Sequence, residues 1–72
     1  MNVITHEPLK LPGEELAVLA ELLETARAKL LVEIRHTDHR AFRDYLRHRL
    51  TLVESLIERC GTAISEGARD DR

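Results

Sequence analysis

The strongest constraint on this chain is a break in the phase of its apolar residues at His36-Thr37-Asp38-His39. Before the break, Leu16, Leu19, Ala20, Leu23, Ala26, Leu30 and Ile34 fall on one arc of a helix turning about 100° per residue, with Leu22 and Leu31 at its edges. After it, a new apolar face reads Phe42, Tyr45, Leu46, Leu50, Leu52, Val53, Leu56, Ile57, Cys60, Ala63 and Ile64. Thr37 and Asp38 are residues whose side chains accept a backbone N–H at the start of a helix, so the second phase has a capping signal in front of it. Glu14 and Glu15 follow the breaker Pro12-Gly13, where acids offset the positive end of a helix dipole. The pattern predicts helix 1 over about residues 13–36, a turn at 37–38 and helix 2 over about 39–65. Gly61 is a candidate C-terminal cap, although Ala63 and Ile64 stay in phase beyond it.

Two helices of similar length, each about 33 Å long and joined by a tight turn, make an antiparallel hairpin. In that register, residues whose numbers sum to about 76 lie side by side, so that Leu30 faces Leu46, Leu23 faces Val53, Ala20 faces Leu56 and Leu16 faces Cys60. The expected core and dimer interface comprises Leu16, Leu19, Leu23, Leu30, Ile34, Phe42, Leu46, Arg49, Val53, Leu56 and Cys60. Both apolar stripes are wider than a two-stranded seam, and a lone hairpin would leave much of them wet. Size sharpens the point, because 72 residues with one cysteine and no zinc-type Cys/His quartet have neither a disulfide nor a metal to supplement a small core. The expected fold class is all-α, a two-helix hairpin that dimerises into a four-helix bundle.

At the N-terminus, residues 1–12 lack helical period, and Pro8 favours an extended arm; residues 66–72 read as a disordered tail. The start of the chain carries no basic region followed by an apolar run, and no apolar stretch approaches the roughly 20 residues of a membrane span, which leads us to expect a cytoplasmic protein with no membrane partner. The formal net charge is −2, but residues 27–49 hold seven basic and three acidic side chains, leaving four basic and ten acidic elsewhere. One end of the hairpin is thus basic and the other acidic, and an antiparallel dimer places each basic tip against its partner's acidic end.

Several residues invite a chemical reading. Arg49 falls near the middle of the apolar face of helix 2: its stem packs while its head reaches solvent, or it forms an ion pair with Glu24 or with a glutamate of a second chain and so fixes register. Arg35, Arg40, Arg43 and Arg47 are candidate anion or nucleic-acid contacts, because a row of guanidiniums neutralises a phosphate backbone. No aromatic residue interleaves them and no recognition-helix motif accompanies them, so nucleic acid is the second choice of partner. Glu33 and His36 have the Glu-x-x-His spacing of carboxylate-bridged di-metal bundles, yet residues near 43 rather than a glutamate oppose them. His36, Asp38, His39 and His48 read as solvated tip residues, and Cys60 as a buried thiol without a neighbouring base. No nucleophile-base arrangement or glycine-rich phosphate loop is present, so neither a cofactor nor an enzymatic activity is expected.

The run Val32-Glu33-Ile34-Arg35-His36-Thr37-Asp38, followed by Phe42-Arg43, Tyr45-Leu46 and Leu50 to Leu56, resembles a group of short uncharacterised bacterial helical-hairpin proteins. In that group a Leu-rich helix ends in a hydrophobic-Arg-x-Thr-Asp/Glu turn and the next helix opens with an aromatic-Arg pair. Such sequences often have Ser or Thr before the first helix, where this chain has Pro12-Gly13. The resemblance implies a helical hairpin and carries no catalytic residue. The expected function is that of a small non-enzymatic interaction or regulatory protein acting as a homodimer, the alternative being an RNA- or DNA-binding hairpin dimer.

Overall fold

A computed structural model of the protein describes residues 10–70, which form two helices, α1 (Gly13–His36) and α2 (Arg40–Asp70), packed against each other as a hairpin. Most of the expected N-terminal arm lies outside the described residues. α1 starts behind Pro12, whose carbonyl accepts the Leu16 N–H at 2.9 Å, and no side chain caps it. Glu14 and Glu15 occupy the first turn and Arg35 and His36 the last, each at the end of the helix dipole that favours its charge. Thr37 ends α1 in an extended conformation (φ −101°, ψ 136°), and its Oγ1 accepts the His39 N–H at 3.4 Å. The first α-helical bond of α2 follows, from the Arg43 N–H to the His39 carbonyl at 2.9 Å. The Thr37 hydroxyl therefore satisfies a donor that the helix start leaves open, whereas Asp38 caps nothing.

The core is a line of contact between the two helices. Leu30, Leu46 and Val53 are buried together, with Leu23, Ala26, Ile34, Leu50 and Ile57 packed around them. Leu16 and Cys60 are buried farther toward the open end, Cys60 completely. Leu46, Val53 and Cys60 are spaced by seven, so one stripe of α2 meets α1 at every second turn. Leu19 and Leu56 are half-buried. The Cα trace measures 51 × 30 × 14 Å, and the thinnest dimension is that of a single layer of helices.

Two expectations need correction. α2 does not end at Ser65 but continues to Asp70, through a stretch expected to be disordered. No glycine has positive φ, so Gly61 sits inside the helix rather than capping it, because Ala63 and Ile64 continue the apolar phase and nothing around Gly61 forces a turn. Phe42, expected in the core or the dimer interface, is 48 % exposed on the hairpin, its ring stacked on Tyr45 at a centroid distance of 6.1 Å. Arg49 is likewise exposed and has no side-chain partner among the described residues; Glu24 instead pairs with Arg27. For both residues the cause is the same, since the wide apolar face of α2 is two adjacent stripes and α1 can cover only one.

Candidate interaction surface

Because the hairpin is one layer thick, it presents two broad sides, and they differ in chemistry. One side is marked by the ion pair that crosses between the helices, Arg27 Nε to Glu54 Oε2 at 3.4 Å, with Glu24 Oε1 3.8 Å from Arg27 Nη1. These groups are 41–58 % exposed, so the pairs contribute at most about 1 kcal/mol each. Their value here is geometric: they fix which side of each helix faces the same way. At about 100° per residue, Arg35 on α1 and Arg40 and Arg47 on α2 fall on that polar side, toward the tip.

The opposite side is apolar and uncovered. Val18 and Leu22 lie about 140–180° around α1 from Arg27, and Tyr45, Leu52 and Leu56 lie about 160–180° around α2 from Glu54. Val18 is 55 %, Leu22 62 %, Tyr45 54 % and Leu52 51 % exposed. An open groove of about 560 Å³ runs along α1 here, lined by Leu11, Glu14, Glu15, Val18, Leu19 and Leu22. On α2, Phe42, Tyr45, Arg49, Leu52 and Leu56 follow the alternating three-and-four spacing of a packing seam, so Arg49 belongs to this uncovered stripe. Not every exposed hydrophobe joins it: Leu31 lies on the polar side and Val32 on the outer flank of α1.

The four arginines singled out for anion contact separate into two roles. Arg35, Arg40 and Arg47 are exposed, and their side chains have no hydrogen-bond or ion-pair partner among the described residues. Arg43 is different and must be withdrawn from that set. It is partly buried, and its Nη2 donates to the Thr37 carbonyl at 2.9 Å, while its Nε is buried without a partner. Its guanidinium ties the first turn of α2 to the end of α1, which makes it a brace for the turn. Thr37 leaves the helix with its carbonyl unsatisfied by the α1 ladder, and a side chain one turn into α2 is well placed to reach it.

Among the described residues no three His, Cys, Asp or Glu side chains come together in a group able to hold a metal ion, and Glu33, His36, His39 and His48 are all exposed. No described helix is long and apolar enough to cross a membrane. Sequence reasoning passed over Val18, although Leu11, Val18 and Leu22 recur at intervals of seven and four and were readable as a second stripe. The Arg27–Glu54 pair has no such signal, because it joins residues far apart in sequence by long, flexible side chains. No family model, curated protein sequence or solved structure matches this chain.

Proposed function

We propose that this chain acts as a homodimer of helical hairpins, a four-helix bundle with a non-enzymatic interaction or regulatory role. The observation that supports this reading is the uncovered apolar side, where Val18, Leu22, Tyr45 and Leu52 are each more than half exposed on a hairpin one helix layer thick. Apolar surface of that extent is what partner chains remove from water in stable assemblies. A small single core contributes only about 3–5 kcal/mol, so association also supplies stability that the hairpin lacks by itself. Light scattering at micromolar concentration tests the reading: the expected mass is twice 8.3 kDa, and a folded species of 8.3 kDa would refute it.

A second reading, contact with RNA or DNA, is favoured by one observation, the exposed and unpaired Arg35, Arg40 and Arg47 on one side of the tip. Binding of labelled RNA and duplex DNA across a salt series decides it. Three phosphate contacts give a slope of log K against log salt of about −2 to −3, lost in the triple alanine variant of those arginines. Arg43 stays in place in that variant, so the turn is left intact.

A further inference from the structure

Resting on the dimer reading, we infer that the partner on the apolar side is a second copy of this chain, packed antiparallel with its twofold axis close to Leu22. Three features carry the inference. The first is sidedness. The Arg27–Glu54 pair places Val18 and Leu22 on the same broad side as Tyr45 and Leu52, so a flat partner can cover both helices at once. The polar side, with its crossing ion pair and unpaired arginines, then remains on the outside of the bundle.

The second is area. Two axes about 8–10 Å apart and a shared length of about 36 Å give a side of roughly 36 by 20 Å, about 700 Å². A stable interface buries about 600–1,000 Å² per partner, so an identical hairpin, which has the same dimensions, falls within that range. A single docked helix would cover about half of it.

The third is charge. Glu15 and Lys29 lie seven residues on either side of Leu22, and so on the same stripe of α1. An antiparallel arrangement stacks α1 on α1 of the second copy. With the axis at Leu22, Glu15 of each chain meets Lys29 of the other, and both pairs form at once. The parallel arrangement stacks α1 on α2 instead. Lys29 then sits at the level of residue 47 and next to Arg49, a like charge on the same uncovered stripe. Toward the open end the two forms balance, because the same axis brings Arg49 level with Arg59 of the other chain and the parallel form brings Glu15 beside Arg59. What separates them is the tip, where residues 27–49 hold seven basic and three acidic side chains and face the acidic open end of the other copy only in the antiparallel form.

Sedimentation equilibrium of the full chain and its variants, with helicity checked by circular dichroism, tests this. Leu22→Glu should weaken the dimer by at least about tenfold, whereas Leu31→Glu on the polar side should change it by less than about threefold. Lys29→Glu and Glu15→Lys should each weaken it, and the double exchange should restore it. If Leu22→Glu does not fold, Leu22→Cys in a Cys60→Ala background gives the same information: oxidation should yield a covalent dimer, since the two thiols meet near the axis, and Leu31→Cys should not. A wild-type chain that is monomeric overturns the dimer reading itself. A wild-type dimer broken by Leu31→Glu and indifferent to Leu22→Glu overturns the assigned side and leaves the dimer standing. A dimer tightened by Lys29→Glu overturns the antiparallel arrangement alone.

Discussion

Leu46→Ala tests how the fold is held, because Leu46 is 3 % exposed and shares the central cluster with Leu30 and Val53. Truncation removes the transfer free energy of three carbons and leaves a cavity that two straight helices cannot easily close. Such changes cost about 2–5 kcal/mol. A core of this size supplies only about 3–5 kcal/mol in all, so the substitution consumes most of the margin. For a domain of 60–100 residues each 1 kcal/mol shifts Tm by about 4–8 °C, and the expected fall is at least about 8 °C. Thermal and urea unfolding followed at 222 nm, at one fixed protein concentration, measure it. Leu31→Ala is the control: Leu31 is 39 % exposed on the polar side, and truncating it should change stability by no more than about 0.5 kcal/mol. Leu46→Met, close to volume-conserving, should cost under about 1.5 kcal/mol. If Leu46→Ala and Leu31→Ala unfold at the same midpoint, the line of burial between the helices is not what stabilises the protein and the reasoning fails.

Three other outcomes are expected. Gly61→Ala should stabilise α2 by about 0.5–1 kcal/mol, since a Cβ there meets nothing within 4 Å and the backbone is helical; a lower urea midpoint would show that the helix does not run through this position. Arg43→Ala should cost about 1 kcal/mol through loss of the bond to the Thr37 carbonyl, against no measurable change for Arg40→Ala, and equal midpoints for the two would remove the brace. A double-mutant cycle on Arg27 and Glu54 should give a coupling below about 1 kcal/mol that shrinks further in 1 M salt, where the Debye length is about 3 Å; a coupling that salt leaves untouched would mean the pair is buried.

The hairpin was legible in the sequence because two physical signals agree on it. Residues spaced by seven, Leu46, Val53 and Cys60, specify one buried stripe on α2, and the break in phase beside Thr37 specifies where the chain reverses. What the pattern does not contain is the division of a wide apolar face between its neighbours. Phe42 and Leu46 are four residues apart and look alike on a helical wheel, yet one is half exposed and the other buried. Only the position of α1 separates them. Arg49 was placed on the right face for the same reason, and only the structure puts it on the stripe that α1 does not cover. The brace from Arg43 to Thr37 depends on where one carbonyl points after the helix ends, and residue types do not encode that. The extension of α2 past Gly61 reflects a helix propensity cost of only about 1 kcal/mol per glycine, which continuous apolar phase can override.

The three-residue link between α1 and α2 has a consequence for how the molecule bears load. Lys10 and Asp70, the limits of the described chain, leave from the same end of the rod, and the inter-helix contacts lie in sequence between them like the teeth of a zipper. Tension applied across these two points acts on one rung at a time, first the level of Leu16 and Cys60, then that of Leu30 and Leu46, with the Arg43–Thr37 brace reached last. Pulling along the rod, from the tip to the open end, instead draws on the backbone hydrogen bonds of the helices themselves and peels no rung. The hairpin is therefore mechanically weak in the first direction and resistant in the second.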